Sequence, residues 1–158
     1  MRVSPEIRAL IEKHATENGL EPDLVEAVVL HESSGDPDAC KVEPAFYERY
    51  TKPMNFSDTE EWLRATSWGL MQVMGQVARE LGYKGKYFTT LCSNPELGIE
   101  LGCRHLANKI NRYGQVDWGL AAYNAGSARK DITGNLVNQV YVDAVMKHYK
   151  EIKGKVAA

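Results

Sequence analysis

The sequence predicts an all-α protein that forms a single domain. Helix start signals, in which a Ser, Asn or Asp comes just before Pro or an acidic residue, recur along the chain, whereas alternating strand patterns are scarce. The length of 158 residues suits one hydrophobic core, so we expect residues 1–158 to fold together. Hydrophobic residues make up 44% and charged residues 25%, which are ordinary values for a globular protein.

The first two helices have clear boundaries. Ser4 followed by a proline opens the first, and Gly19 ends it. Pro22 opens the second, which runs to Glu32 and is apolar on nearly every side apart from Glu26. A helix with that composition is expected to be buried.

The later helices follow from similar signals. Ser57 begins a capping-box pattern, and an Asn-Pro-Glu run at 94–96 opens a long helix whose apolar residues keep helical spacing. We expect helices from residue 58, over 76–81, over 95–113, from Asp117 to just before Gly126, and from Asn135 onward, the last with Val137, Tyr141, Ala144, Val145 and His148 on one face.

One long stretch has no periodicity. Residues 33–55 contain Pro37, Pro44 and Pro53, and we interpret the segment at about 33–66 as a long loop or insertion. Loops of this length in small domains are more often functional than idle.

Charge and composition exclude several classes of function. A net charge of -2 gives no strong field for nucleic acid or an anionic membrane, and no apolar run is long enough to span a bilayer.

His31-Glu32 suggests a metal motif, but Gly35 stands where the second histidine would be, so we expect no metal and no cofactor. The odd number of cysteines (Cys40, Cys92 and Cys103) favours buried or half-buried free thiols, with one disulfide such as Cys92 to Cys103 left open.

Glu32 is the candidate catalytic acid. It follows Val28 by four residues and Val29 by three, so its carboxyl lies on an apolar helix face in the last turn, where the helix dipole disfavours an anion. Both effects are expected to raise its pKa, as a general acid for glycosidic cleavage requires. A solvated glutamate at a helix end is the structural alternative, and the residue pattern alone does not choose between them.

Three more segments combine packing with polar groups. The Gly69–Gln72 segment has an amide beside apolar residues and can be read as a helix start. Tyr123-Asn124 is a polar pair that helix packing explains poorly. Tyr141 is a core aromatic whose hydroxyl could bond to a buried carboxyl.

Taken in order, these segments resemble the lytic transglycosylases of the soluble, lysozyme-like type. The resemblance covers roughly residues 20–150 and rests on ESSGDPDA at 32–39, GLMQVM at 69–74, NPE at 94–96, LAAYNAG at 120–126 and Tyr-Val at 141–142. It implies a lysozyme-like helical fold and a peptidoglycan substrate.

The resemblance also implies roles for individual residues. Glu32 would first protonate the glycosidic oxygen between N-acetylmuramic acid and N-acetylglucosamine and then, as carboxylate, accept the proton of the muramic acid 6-hydroxyl, giving a 1,6-anhydro product. Tyr141 would orient Glu32, and Ser33 would lie in the active site. The sugar groove would be lined by Met71, Gln72, Tyr123 and Asn124.

Three features depart from the family pattern. The segment between Glu32 and Gly69 is longer, Gly75 stands where proline is usual, and residues 138–140 lack the acidic residue expected before Tyr141. The longer segment carries five acidic residues, Glu43, Glu48, Asp58, Glu60 and Glu61, one of which could activate water. A hydrolytic muramidase, as in goose-type lysozymes, is therefore an alternative, and an inactive wall-binding or phage-tail module is a further one.

The expected site of action is the bacterial cell wall, in the periplasm or outside the cell. The N-terminal residues have no apolar signal-peptide core, which suits a phage lysin or a domain cut from a larger protein. We expect a monomer, because no coiled-coil pattern is present.

Overall fold

The computed structural model describes residues 1–157, with side chains described up to residue 155, and most of them are helical. The long helices are α1 (Pro5–Glu17), α2 (Pro22–Ser33), α7 (Pro95–Tyr113), α8 (Val116–Ala125) and α9 (Gln139–Ala157). Shorter ones are α3 (Pro44–Phe46), a π-helical turn (Tyr47–Thr51), a 3-10 turn (Lys52–Met54), α4 (Asp58–Arg64), α5 (Gly75–Glu80) and α6 (Thr90–Ser93). By their internal contacts the residues form two compact units, 1–31 with 103–158, and 32–102.

The first unit has a helical core. Residues 24–30 of α2 are all buried, as the sequence predicts for a helix that is apolar on nearly every side. Around them lie buried residues of the other helices of this unit: Ile11, Ala15, Leu106, Leu120, Ala121, Ala122, Val142, Val145 and Ile152. Helix α8 is also buried without a break from Gly119 to Tyr123, whereas α1 contributes one apolar stripe, as is usual for a helix at the surface of a core.

Glu26 is a buried charge inside this unit. Its side chain has no exposed surface, and its carboxylate accepts hydrogen bonds from Arg2 Nε at 2.7 Å and from Arg8 Nη1 at 2.6 Å. Burial by itself would raise the pKa of Glu26. The hydrogen bonds from the two arginines lower that pKa by a larger amount, so it lies below its usual range. The ion pairs thus explain a glutamate within an otherwise apolar run.

The second unit contains a small antiparallel sheet in the order β1 (Cys40–Val42), β2 (Thr66–Trp68), β3 (Val73–Met74). Cys40 faces Trp68 across the first pair, and Trp68 faces Val73 across the second. Buried residues of this unit include Leu70, Met71, Phe88, Leu91 and Ile99.

The stretch predicted as a long loop is instead folded into short elements. Residues 40–42 pair with β2, and the backbone N–H of Glu43 donates to the Ala65 carbonyl at 2.9 Å. Strand pairing between residues more than twenty positions apart leaves no local pattern, so sequence periodicity misses it. The capping box is confirmed, because Ser57 Oγ accepts from the Glu60 N–H.

Two helix starts differ from their predicted positions. Gln115, and not Asp117, caps α8. The last helix begins at Gln139 and not at Asn135, because the Asp131 carboxylate accepts from the Asn135 N–H and Leu136 pairs with Lys130 in a β-bridge. Val137 therefore lies outside the helix and is 60% exposed, so its predicted place on the inner face is wrong.

Candidate active site

Glu32 and Ser33 close the last turn of α2. Both are half-buried, and the chain then reverses through Ser34 and Gly35, which have φ angles of 54° and 82°. Ser33 Oγ donates to the Leu70 carbonyl at 2.8 Å and accepts from the Gly35 N–H at 3.2 Å. Ser33 therefore connects the Glu32 segment to the segment that begins at Gly69.

That second segment is the turn of a hairpin between β2 and β3, and not a helix start. Gly69 has a φ of +71°, and a Cβ there would lie 2.7 Å from the Leu91 carbonyl oxygen, so both conformation and space require glycine. Gln72 also has a positive φ, 47°, and its Nε2 donates to the carbonyls of Ala39 at 3.0 Å and Gly69 at 2.9 Å. The side-chain amide of Gln72 thus holds the turn closed.

Met71 lies inside the same unit. Its side chain has no exposed surface. A Cβ on Gly102 would lie 2.4 Å from its sulfur, so the two residues pack closely. In this structure Met71 contributes packing beneath the turn and presents no surface to a ligand, contrary to the expectation that it lines a groove.

Tyr123 and Asn124 end α8 in the other unit. Tyr123 is buried with its ring centroid 5.1 Å from that of His105. Burial, and then the nearby Lys109, lower the pKa of His105 to about 4. Asn124 is exposed, and its side-chain oxygen accepts from Asn138 Nδ2 at 2.9 Å.

Tyr141 is buried in α9 in that same unit. The His31 ring meets it edge to face, with centroids 5.0 Å apart and planes at 84°. The His31 ring also contacts His148, with the two ring centroids 6.2 Å apart. Burial, and then the charge of His148, lower the pKa of His31, which favours the neutral imidazole at pH 7.

The predicted site residues therefore fall into two sets. Glu32, Ser33, Met71 and Gln72 belong to the unit of residues 32–102, whereas Tyr123, Asn124 and Tyr141 belong to the other unit. Sequence reasoning overlooked Asn138, which also donates to the Ala121 carbonyl at 3.0 Å. Its position three residues before Tyr141, where an acidic residue was expected, was the available signal.

Comparison with known proteins decides the family. A model of the transglycosylase SLT domain matches residues 9–140, which is most of the chain. The chain belongs to the SLT transglycosylase family. The match confirms the resemblance inferred from the motifs; Tyr141 lies one residue beyond the matched range.

A solved structure shares the fold of this SLT domain. The X-ray structure of an inactive variant of the lytic transglycosylase Slt from Pseudomonas aeruginosa superposes with a TM-score of 0.64 and 20% sequence identity, over 96% of this chain and 24% of that chain. The likeness confirms the predicted lysozyme-like helical fold. The chain thus spans about a quarter of the length of that protein.

The acidic residues of the long segment in this SLT domain are largely ion-paired. Glu43 lies 3.0 Å from Lys41, and Glu48 lies 2.9 Å from Lys52. Glu60 accepts from Arg64 at 2.8 Å and from Arg79 at 3.0 Å. Burial raises the pKa of Glu60, but the two arginines outweigh it and hold that pKa below its usual range. Glu61 is buried, and Asp58 is exposed.

The described residues contain no group of three or more His, Cys, Asp or Glu side chains arranged to hold a metal ion. The three cysteines are free thiols. Cys103 is buried and Cys92 half-buried, but Cys40 is exposed, contrary to expectation, because β1 lies at the edge of the sheet. Among the residues the structure describes, none of the helices is both long and apolar enough to cross a bilayer.

Proposed function

We propose that this protein is a lytic transglycosylase that cleaves peptidoglycan glycan strands between N-acetylmuramic acid and N-acetylglucosamine. Membership of the SLT family over residues 9–140 supports the activity class. The observation that carries the proposal is the Ser33–Leu70 hydrogen bond of 2.8 Å, because it joins the segment of Glu32 to a second family motif within one unit. The structural neighbour is described as an inactive form in which one Glu is replaced by Gln, which fits an enzyme that depends on a glutamate carboxyl.

The proposed reaction needs one carboxyl group in two protonation states. Glu32, neutral at first, donates its proton to the glycosidic oxygen as that bond breaks. The resulting carboxylate accepts the proton of the muramic acid 6-hydroxyl, whose oxygen closes on C1 and gives the 1,6-anhydro sugar. Glu32 ends protonated, and no water is consumed. Half-burial and the C-terminal end of α2 both disfavour the anion at the start of the cycle.

The remaining site residues are proposed to bind and position the glycan. We assign Tyr141 to the catalytic machinery on the strength of the family resemblance. Asn124 is exposed and held by Asn138, so its amide is preorganised for a sugar group. On the strength of the family resemblance, Gln72 and Tyr123 are also assigned to glycan binding, whereas Met71 packs beneath the Gly69–Gln72 turn.

The ion pairs of the long segment weigh against three of the five candidates for a second catalytic carboxylate, Glu43, Glu48 and Glu60. A hydrolytic muramidase would use a second carboxylate to activate water. Glu43, Glu48 and Glu60 are each engaged by a lysine or arginine.

We further propose that the protein acts on the cell wall and that it is a monomer. Sedimentation at the working concentration would check the oligomeric state.

The deciding experiment is digestion of purified peptidoglycan, with products identified by mass spectrometry. We expect anhydro-muramic ends from the parent protein and from Glu151→Gln, an exposed glutamate of α9 that serves as the matched control. Glu32→Gln is expected to release none. Reducing muramic ends from the parent would instead support the muramidase, and a parent without any product would support a binding module.

A further inference from the structure

Large apolar side chains are exposed in one short part of the chain that the proposed mechanism does not use. Between residues 42 and 62, the side chains of Val42, Tyr50, Met54, Phe56 and Trp62 are 38–50% exposed. Apolar side chains that are exposed singly need no explanation, so the geometry around each one decides whether it marks a ligand site. Three of the five are aromatic, which points to a ligand with a flat apolar face.

Trp62 has the most defined geometry of this group. Its ring stacks on that of Tyr47 with centroids 3.6 Å apart and planes within 7°. Tyr47 is only 9% exposed, whereas Trp62 is 38% exposed. Because Tyr47 covers one face of the indole, the opposite face and the edges are the parts of the ring left to contact a ligand. The indole is thus a flat surface with a rigid backing.

The backing is fixed by local structure. Tyr47 begins the π-helical turn Tyr47–Thr51, a rare conformation that is frequently found at functional sites. A polar pair lies beside Tyr47: Lys52 Nζ is 5.9 Å from the Tyr47 ring centroid and pairs with Glu48. An aromatic surface beside a few polar groups is a common composition for a small-ligand site.

From this geometry we propose that Trp62, backed by Tyr47, is a stacking platform for one pyranose ring of a β-1,4-linked N-acetylhexosamine strand. The inference rests on the proposed function for its choice of ligand. The axial C–H groups of such a sugar form an apolar, slightly positive face, which complements the negative face of an indole.

A protein partner fits the surface less well. A stable protein interface needs about 800 Å² on each side. Here the rigid element is a single indole ring, and the Lys52–Glu48 ion pair lies near its backing residue, Tyr47. A single sugar ring matches the size of the platform.

The test uses the Glu32→Gln variant, which binds without turnover under the proposed function, and chitopentaose as the soluble probe. Indole N–H signals are followed by NMR, after assignment of Trp62, Trp68 and Trp118 with single Trp→Phe variants. We expect the Trp62 signal to shift on titration, and Trp62→Ala in the same background to weaken binding about tenfold. Tyr87→Ala is the matched control, since Tyr87 is 64% exposed in the same unit and is expected to change nothing.

The outcomes separate this inference from the proposed function. A Trp62 signal that stays in place at saturating probe overturns the platform, whether or not Trp62→Ala folds. Equal weakening by Tyr87→Ala and Trp62→Ala also overturns it. If the parent releases no anhydro products while the Trp62 signal shifts, the proposed function fails and the platform stands. If the parent releases anhydro products but the Trp62 indole N–H signal does not shift, the platform is overturned and the proposed function stands.

Discussion

At the scale of single residues, polar bridges hold the family motifs in place. Ser33 bonds to Leu70, which lies 37 positions away in the sequence, and Asn138 bonds to both Ala121 and Asn124. The bonds to the Leu70 and Ala121 carbonyls are part-buried, so removing the side-chain donor leaves a carbonyl without its partner. The bridging residues are therefore as much a part of the candidate site as the residues that would touch a sugar.

Replacement of Ser33 tests this view. Ser33→Ala removes the Oγ that donates to the Leu70 carbonyl, and we expect the free energy of unfolding to fall by about 1–2 kcal/mol in urea titrations. We also expect a lower rate of peptidoglycan cleavage, because Glu32 is the neighbouring residue. Ser127→Ala, at an exposed serine, is the control and should stay within about 0.5 kcal/mol of the parent. Equal stability of the two variants would show that the bridge is dispensable.

At the scale of elements, glycine decides how closely α7 and α8 approach. A Cβ on Gly119 of α8 would lie 2.3 Å from the Cγ1 of Ile110 on α7. No side chain fits that contact without a shift of a helix. A Cβ on Gly154 of α9 would have no atom within 4 Å, so no packing contact requires a glycine there.

The two glycines give predictions of opposite sign. Gly119→Ala should lower the free energy of unfolding by about 2 kcal/mol or more, because the methyl overpacks the α7–α8 contact. Gly154→Ala should raise it by about 0.5–1 kcal/mol, because alanine is the better helix former. Thermal unfolding followed by circular dichroism measures both. Two changes of the same sign would contradict the packing argument.

At the scale of the whole molecule, titratable groups make stability depend on pH. The carboxylates of Asp23, Glu26 and Glu60 have pKa values held below their usual range, although burial alone would raise them, because arginines bond to them. The stability they supply is present above about pH 4.5 and is lost as they are protonated at lower pH.

His105 also makes the free energy of unfolding fall as the pH falls, but it does so at higher pH than the carboxylates. Burial lowers its pKa to about 4, so the unfolded chain binds a proton between about pH 6.5 and 4 that the folded chain does not.

We therefore expect the free energy of unfolding to decline as the pH falls from 6.5 to 4. His105 should account for about 1–2 kcal/mol of the decline, less than a fully buried group would, because its ring is only half-buried. His105→Phe keeps an aromatic ring beside Tyr123 and removes the titration, so its decline over this range should be smaller. Urea titrations at pH 7, 5.5 and 4 measure the difference. Parallel curves for the two proteins would exclude His105 as a source.

Local signals in the sequence determined the helices and the candidate catalytic residue. Ser4, Pro22 and Ser57 open helices where predicted, and Gly19 and Gly114 end them with φ angles of 68° and 72°. These signals act within one turn of backbone, so neighbouring residues suffice to read them. The motifs at 69–74 and 120–126 identified the family for the same reason, since each is a short contiguous run.

Contacts between residues far apart in the chain were decided only by the tertiary structure. The β1–β2 pairing, the delayed start of α9 at Gln139, and the Asn138–Asn124 bond each depend on a partner that local periodicity does not reveal. The burial of Met71 beneath a turn depends equally on Gly102, 31 positions later. Helix signals are local because a helix bonds to itself, whereas strands, buried polar bridges and the pKa values they shift belong to the packed molecule.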